Sequence, residues 1–415
     1  MENTQSSICS AGSAFRATRT IRNASESTSQ KPTLLQARKD PAFHDFILLA
    51  AKIRSTDLHE AGHRANIILQ GGSFLAGQGS SFTVYSLPTS NACSGYHPRY
   101  VAIKSPRAAL HVDKNSQSFR GQLRDAYFEL QVLSHPPLRA HNNIVKLLGI
   151  SWEPSPVSLS GFHGPETFWP VLVIEHSEYG TIQDVFEDIE ANNTTPLTVE
   201  TKVNLCLDVA RGLEALHHCG IVHGDVKCEN ILIFRQHPRT TAKLADFGCA
   251  LSDVKSKAEL KGLTEPWDAP EARNTLTGRG LMATDIYSLG FTLWRILGNG
   301  KNPFTSAVVL DAMKGQSVKD FKKGDELWKL ACADIAQRGD FNAWMNITGA
   351  ASSGLKQVES VFEKTLRYEP SRRTLSHSVE LLTQAQNLCV ILILEFIVCL
   401  TIPITASARK QKRKP

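Results

Sequence analysis

The sequence has no C-x-x-C motif, and its nine cysteines show neither metal-ligand spacing nor close pairing. This absence argues against a zinc site or a disulfide framework and favours reduced thiols in the cytosol. Residues 1–30 lack the continuous apolar run that a secretory signal peptide needs. The net charge is only +6, so the composition gives no reason to expect a nucleic-acid partner.

The chain is long enough for two lobes and tails. Its 415 residues exceed one typical core, and 42% hydrophobic and 21% charged residues are typical of a globular protein. Ser, Thr, Gln and Asn dominate the first part of residues 1–65, which predicts a largely disordered leader. Its arginines also resemble an organelle transit peptide, although Glu2 and Glu26 argue against one. Apolar residues from Phe43 to Ile53 predict a short helix that packs on the following domain.

The stretch Ile221–Ile233 carries the strongest chemical signal. Apolar residues flank a short polar core, which predicts a loop between two short strands with its polar side chains in one cleft. Asp225 can orient a hydroxyl nucleophile, Lys227 can neutralise a transferring phosphate, and the amide oxygen of Asn230 can bind Mg²⁺. A polar surface turn is the alternative interpretation of this stretch taken alone.

A glycine-rich turn precedes a strand that ends in lysine. At Gly77 and Gly79, backbone N–H groups can approach phosphate oxygens because no Cβ intervenes. A plain β-hairpin explains this turn about as well. The strand Tyr100–Lys104 follows it, and this order favours a phosphate ligand at Lys104 over a solvated strand end.

Further patterns complete the two predicted lobes. The helix Phe119–Leu133 carries Glu129, which is either solvated or paired with Lys104. A strand that ends in Asp-Phe-Gly places Asp246 well for a metal ion. The remaining predicted segments are a strand at 143–149, a loop at 153–168, a strand at 171–177, and helices at 201–218 and 283–297. The region 300–350 shows little pattern.

The order of these motifs resembles the eukaryotic protein kinase family over residues 66–386. The matching residues are Gly77-Gln78-Gly79, Val101-Ala102-Ile103-Lys104, Glu129, the run from His223 to Asn230, Asp246-Phe247-Gly248 and Ala269-Pro270-Glu271. The resemblance implies an α+β, two-lobed fold, with a β-rich N-terminal lobe at about 66–175 and a larger helical C-terminal lobe at about 178–386. It also implies ATP and Mg²⁺ in the cleft between the lobes.

The resemblance further implies a role for each site residue. Asp225 would be the catalytic base, and Lys227 would stabilise the γ-phosphate of ATP. Lys227 is typical of the serine/threonine subgroup, so the implied substrate is a protein with a Ser or Thr hydroxyl. Asn230 and Asp246 would bind Mg²⁺, while Lys104 would hold the α/β-phosphates. The other implied nucleotide-binding residues are Gly77, Gly79, Val84, Glu129, Glu175 and Ser177, with the adenine bound by the backbone near the last two.

Four more residues have implied supporting roles. Thr264 stands where the serine/threonine subgroup often has a threonine that contacts both the base and the substrate. Glu271 would pair with Arg373 inside the larger lobe, and Asp285 would brace the catalytic loop from below.

The sequence departs from the family pattern at two site positions. Phe82 stands where the third glycine of the turn is usual, which we interpret as tuning of the loop over the phosphates. Gly224 replaces the arginine that commonly precedes the catalytic Asp and neutralises a phosphate on the activation segment. We therefore predict that activity does not require phosphorylation of residues 246–271.

The C-terminus is unusually apolar. Residues 388–408 form a hydrophobic run that is long enough for a candidate transmembrane helix, and residues 409–415 form a basic tail. Glu395, Pro403 and the positive-inside tendency argue against a span. Two alternatives are a partner-binding or membrane-surface tail and an artefactual end of the sequence.

The sequence thus predicts a cytoplasmic, ATP- and Mg²⁺-dependent protein serine/threonine kinase, with a membrane anchor at the C-terminus as an added expectation. The alternatives are a pseudokinase and a membrane-tethered regulatory binding module. The intact set of Lys104, Asp225, Asn230 and Asp246 favours the active enzyme.

Overall fold

The computed structural model describes residues 43–54, 74–78, 82–88, 100–106, 117–154, 168–236, 239–252, 257–341 and 351–401. The predicted strand start at 67–69, the site residue Gly79, and most of the predicted leader at 1–65 lie outside these residues. The predicted short helix is present within that leader as α1, Phe43–Arg54, which buries Phe46 and Ala50.

A five-stranded antiparallel sheet forms the N-terminal lobe. In the order β1-β2-β3-β5-β4, it consists of Phe74–Gln78, Phe82–Pro88, Tyr100–Pro106, Phe168–Glu175 and Leu147–Pro154. Successive side chains in a strand point to opposite faces. Val101 and Ile103 therefore pack with Val171 and Val173 in one buried cluster, while Lys104 lies on the other face.

The helix α2, Gln117–Ser134, packs beside this sheet and carries Glu129. It buries an apolar stripe at helical spacing that includes Leu123, Leu130 and Leu133, which is why this sequence forms a helix here. The same packing turns Glu129 inward, with 1% of its surface exposed.

The C-terminal lobe is mainly helical. Its helices are α4 Ile182–Ala191, α5 Val199–His218, α6 Gly278–Leu297, α7 Ala307–Met313, α8 Val318–Phe321, α9 Leu327–Ala336, α10 Ala351–Thr365 and α11 Leu375–Thr401. The short helix α3, Pro136–Arg139, comes earlier in the chain, between α2 and β4. The Thr198 hydroxyl caps α5 by accepting the N–H of Thr201. The helix α6 is apolar on nearly all sides and lies in the core, where Trp294 is fully buried.

A two-stranded hairpin supports the cleft side of this lobe. Its strands are β6, Ile231–Gln236, and β7, Arg239–Leu244. Together with the sheet and helices, it gives the mixed α+β fold that the motifs imply.

Several strand ends differ from the sequence prediction. The strand β4 begins at Leu147 and not at Asn143, because Asn143 is tied to β7 by a hydrogen bond from its Nδ2 to the Ala242 carbonyl at 3.1 Å. β4 runs on to Pro154, and β5 begins at Phe168, so both overlap the ends of the predicted loop at 153–168. The intervening residues 155–167 lie outside the described part of the chain.

Two strands that were predicted beside the site also differ from the structure. The strand that was predicted to end in Asp-Phe-Gly ends earlier, at Leu244. On the N-terminal side of the polar loop, Val222 makes only an isolated bridge with Leu251, so the predicted strand there is wrong. The reason is that residues 223–230 turn back to place their polar groups in the cleft.

The C-terminal helix α11 begins in the packed lobe, where Ala385 and Cys389 are buried, and it continues to Thr401. Among the described residues, no helix is both long enough and apolar enough to span a membrane. The transmembrane helix predicted over 388–408 is therefore not found in the described part of the chain. Residues 402–408 of that segment and the basic tail at 409–415 lie outside it.

Candidate active site

The ammonium group of Lys104 joins two carboxylates in the cleft. Its Nζ lies 2.7 Å from Glu129 Oε2 and 2.9 Å from Asp246 Oδ1. The three residues come from β3, from α2 and from the segment after β7, so only the folded chain brings them together. The ion pair that was predicted between Lys104 and Glu129 is present.

The pKa values of Lys104, Asp246 and Glu129 depend on one another. Burial by itself would lower the pKa of Lys104, but the neighbouring Asp246 and Glu129 outweigh it and raise that pKa above its ordinary value. Burial also favours a protonated Asp246, but Lys104 holds the pKa of this carboxyl below its usual range. Burial raises the pKa of Glu129 to about 7, although Lys104 opposes the rise. Lys104 and Asp246 are therefore both charged at neutral pH.

Asp246 has an unusual backbone. Its φ is +61°, a value that non-glycine residues rarely adopt, so the surrounding structure must hold it in place. The next residue, Phe247, is fully buried, and its ring lies 5.3 Å from the ring of His223. This anchor leaves the Asp246 side chain 44% exposed towards the cleft.

A second polar group is built around Asp225. Its Oδ2 lies 2.7 Å from Lys227 Nζ and accepts a hydrogen bond from Asn230 Nδ2 at 3.0 Å. Its Oδ1 accepts a hydrogen bond from the hydroxyl of Thr264 at 2.9 Å. Lys227 Nζ also donates to that hydroxyl at 3.1 Å, so Thr264 bridges the two predicted catalytic residues.

The two polar groups are adjacent. The carbonyl oxygen of Asn230 accepts the N–H of Ala245 at 3.0 Å, and Ala245 directly precedes Asp246. The His223 ring is in turn 3.2 Å from the carbonyl oxygen of Ala245. The predicted metal ligands Asn230 and Asp246 are therefore held side by side by main-chain contacts.

Asp285 supports the loop from within the C-terminal lobe, as predicted. It is 2% exposed, and it accepts the N–H groups of His223 at 2.7 Å and Gly224 at 2.9 Å. It also lies 3.0 Å from His217 Nε2. The predicted pair of Glu271 and Arg373 is present as well, with both guanidinium Nη atoms on the carboxylate.

The residues predicted to bind adenine lie at the junction of the lobes. The carboxylate of Glu175, at the end of β5, points away to Lys243 at 2.7 Å and to the Lys146 N–H at 2.8 Å. The hydroxyl of Ser177 lies 2.6 Å from the Ile233 carbonyl. Both side chains are thus engaged within the protein, which agrees with the expectation that any contact to adenine uses the backbone.

The predicted phosphate loop is described in part. Gly77 lies in β1 next to a shift in its register with β2. Open space surrounds the position that a Cβ atom on Gly77 would occupy. Val84, in β2, lies directly opposite Lys104 in β3. Phe82 is buried, and its ring centroid is 4.5 Å from Lys104 Nζ.

Sequence reasoning missed two contacts near the site. Lys243 is 1% exposed and pairs with Glu175 from behind the lobe junction; the signal was a lysine placed between the apolar residues Ala242 and Leu244. Lys261, after Asp-Phe-Gly, lies 3.3 Å from Asp125 of α2. No local pattern marks this second pair, because its members are far apart in the chain.

Comparison with known proteins identifies the domain type. The family model for the protein kinase domain matches residues 75–383. Human receptor-interacting serine/threonine-protein kinase 1 is 30% identical over 183 residues, which cover 40% of this chain and 24% of that protein. The serine/threonine/tyrosine-protein kinase HT1 of Arabidopsis thaliana is 28% identical over 205 residues, which cover 48% of this chain and 45% of that protein.

A third relative is a tyrosine kinase. The megakaryocyte-associated tyrosine-protein kinase of Rattus norvegicus is 27% identical over 164 residues, which cover 40% of this chain and 30% of that protein. The aligned regions therefore span less than half the length of each of these three relatives. Their names include both serine/threonine and tyrosine kinases, so the similarity is compatible with either hydroxyl substrate.

Proposed function

The chain belongs to the protein kinase family, and on that premise we propose that it transfers the γ-phosphate of ATP to serine or threonine hydroxyls of proteins. The observation that carries the proposal is the adjacency of two polar groups in one cleft. One is Lys104 with Glu129 and Asp246, and the other is Asp225 with Lys227 and Asn230. Phosphoryl transfer needs this combination of positioned charges more than it needs covalent chemistry from the protein.

In this proposal, Lys104 binds the α/β-phosphates, and Glu129 holds it in position. Val84 and the backbone of Gly77 and Gly79 line the nucleotide from above. The backbone of Glu175 and Ser177 binds the adenine. Lys104 is suited to this role because it is 5% exposed, charged and held from both sides.

Asp225 and Lys227 act on the substrate side. Asp225 accepts the proton of the substrate hydroxyl while the hydroxyl oxygen forms a bond to the γ-phosphorus of ATP. The bond between that phosphorus and the oxygen that remains on ADP breaks in the same step. Lys227 stabilises the charge on the phosphoryl oxygens. Thr264 supports the serine/threonine assignment, because its hydroxyl holds Asp225 and Lys227 in one arrangement.

The donor set fits Mg²⁺, which supplies charge neutralisation on the phosphates when bound. Mg²⁺ is usually held by one or two protein oxygens together with substrate phosphates. Asp246 offers a partly exposed carboxylate. Asn230 commits its amide nitrogen to Asp225, and its amide oxygen is the proposed metal ligand. Among the described residues there is no cluster of three His, Cys, Asp or Glu side chains that could hold a metal without a substrate.

Phosphotransfer to a generic basic protein tests this function. We expect Asp225→Asn to lower turnover by about 10²- to 10⁴-fold, while Asp311→Asn, on an exposed position of α7, leaves it unchanged. Phosphoamino-acid analysis of the product should give phosphoserine or phosphothreonine. Equal turnover in the wild type and Asp225→Asn would refute catalysis, and phosphotyrosine alone would refute the serine/threonine assignment.

The second candidate function is a pseudokinase, a regulatory binding module that keeps the fold. The burial of Phe82 against Lys104 favours it, because the ring lies where the phosphates are expected. Nucleotide binding without any turnover, in a protein whose Asp225→Asn variant behaves identically, would support this candidate instead.

We further propose that the kinase domain acts in the cytoplasm and that residues 388–408 attach it to a membrane. The apolar sequence of that segment supports attachment, whereas Glu395 within it opposes a full span. Detergent phase partitioning should place the full chain in the detergent phase and a chain ending after the buried Cys389 in the aqueous phase. Aqueous partitioning of both would contradict the membrane proposal.

A further inference from the structure

The register of the N-terminal sheet determines where Phe82 points. In β2 and β3, Val84 lies directly opposite Lys104, and Phe82 lies opposite Pro106. Directly opposed residues share one face of the sheet, and residues two apart in a strand share it too. Phe82, Val84 and Lys104 are therefore on the same face, the one that is turned to the cleft. Thr83 is on the opposite face.

The ring of Phe82 is packed into that cleft. The residue is 4% exposed although it stands at the first position of its strand. Its ring centroid lies 4.5 Å from Lys104 Nζ, within the range of a cation–π contact. The aromatic face is thus in contact with the ammonium group that is proposed to bind the phosphates.

Phe82 also reaches the Asp-Phe-Gly turn. A Cβ atom built on Gly248 would lie 3.8 Å from Phe82 Cε2 and 3.4 Å from Asp246 Oδ1. The ring therefore lies close both to Lys104 and to the turn that carries the proposed metal ligand Asp246. A glycine at position 82 would leave this volume open, because it has no side chain.

Building on the proposed function, we propose that the Phe82 ring occupies the phosphate subsite and selects against triphosphates. Mg²⁺ and the phosphates of ATP must displace the ring from Lys104 before they can bind. Adenosine has no phosphates and leaves the ring in place. Phe82 is therefore a specificity-determining residue, and it weakens the affinity for ATP relative to that for adenosine.

Removal of the ring should separate the two ligands. We expect Phe82→Gly in the full chain to bind Mg·ATP roughly tenfold or more tightly than the wild type, because no buried aromatic ring has to be displaced. Its affinity for adenosine should change by less than about twofold, since adenosine does not reach Lys104. Isothermal titration with Mg·ATP, Mg·ADP and adenosine measures these constants, and the gain should grow with the number of phosphates.

The matched control is Thr83→Gly, which introduces the same residue into the same strand on the face away from the cleft. It should leave both affinities near the wild-type values. Phe82→Ala, checked by thermal unfolding, serves as a second variant if Phe82→Gly does not fold. Wild-type-like or weaker Mg·ATP binding by a folded Phe82 variant would overturn the inference alone. Failure of the wild type and of all variants to bind any of the three ligands would overturn the proposed function as well.

Discussion

The carbonyl oxygen of Cys249 lies 2.6 Å from the position that a Cβ atom on Gly224 would occupy. Gly224 also has a φ of +80°, which side-chain-bearing residues rarely adopt. It directly precedes Asp225, and Asp285 binds its N–H. Position 224, where the family usually has an arginine, is therefore a place where the main chain of this loop comes very close to the main chain just after Asp-Phe-Gly.

Gly224→Ala should destabilise the protein and slow phosphotransfer. The positive φ costs about 1–2 kcal/mol for a residue with a Cβ atom, and the contact with Cys249 adds to that cost. Gly220→Ala is a matched control, because Gly220 has a φ of +73° but open space around its Cβ position. Urea unfolding should show a clearly larger loss of unfolding free energy for Gly224→Ala than for Gly220→Ala. Equal losses would mean that the main chain at Gly224 and at Cys249 can move apart without an energetic cost.

Activity should not depend on phosphorylation of residues 246–271. The residue directly before Asp225 is Gly224, so no arginine at that position can bind a phosphate. Lys261 of this segment is already paired with Asp125 of α2. Treatment with a phosphatase should leave phosphotransfer unchanged. Glutamate at Ser252 or Ser256, as a phosphate mimic, should change turnover by less than about tenfold.

A strong gain of turnover in either glutamate variant would contradict this expectation. Lys261→Glu provides the complementary measurement, because it replaces an attraction to Asp125 with a repulsion. It should lower turnover by a few-fold, in keeping with the small free energy of a partly exposed ion pair. Lys257→Glu, at an exposed position of the same segment, is the control.

The ionisation of Glu129 should make stability depend on pH. Burial raises its pKa in the folded protein from 4.5 to about 7, so the folded state binds this proton more tightly than the unfolded state. The resulting contribution to the free energy of unfolding is full below the unfolded-state pKa of 4.5, and it is lost as the pH rises through about 7. Urea unfolding at several pH values between these limits measures the loss.

Glu129→Gln is the reference for this measurement, because its amide cannot ionise. The free energy of unfolding of the wild type, taken relative to this variant, should fall as the pH rises from 4.5 to about 7. A difference that stays constant or increases over that range would mean that Lys104 keeps Glu129 ionised throughout.

Arg373→Ala should destabilise the C-terminal lobe by about 3 kcal/mol, because it leaves Glu271 largely buried without its partner. The guanidinium group is fully buried and also donates to the carbonyl oxygens of Arg367, Tyr368 and Ala283. Arg372→Ala is the neighbouring control, since that side chain is 56% exposed. Its loss in thermal or urea unfolding should stay within about 0.5 kcal/mol. Similar losses for both variants would contradict a buried ion pair at Glu271.

The long amphipathic helices could be predicted from the sequence because their pattern is local. The predicted helices at 119–133 and 201–218 correspond to α2 and α5, with small shifts at their ends. The strand ends were less predictable. Asn143 fits a strand pattern, but its hydrogen bond to the Ala242 carbonyl, made across 99 positions of the chain, holds it outside the sheet.

The sequence by itself determined the order of the motifs, and therefore the kinase family and the side chains that line the cleft. These depend on residue identity and on short spacings, which can be read along the chain. Only the tertiary structure decided that Phe82 packs on Lys104, that Gly224 meets the Cys249 carbonyl and that Lys243 holds Glu175. Such contacts join elements that are far apart in the chain, and their distances are decided by how the sheet, the hairpin and the helices pack against one another.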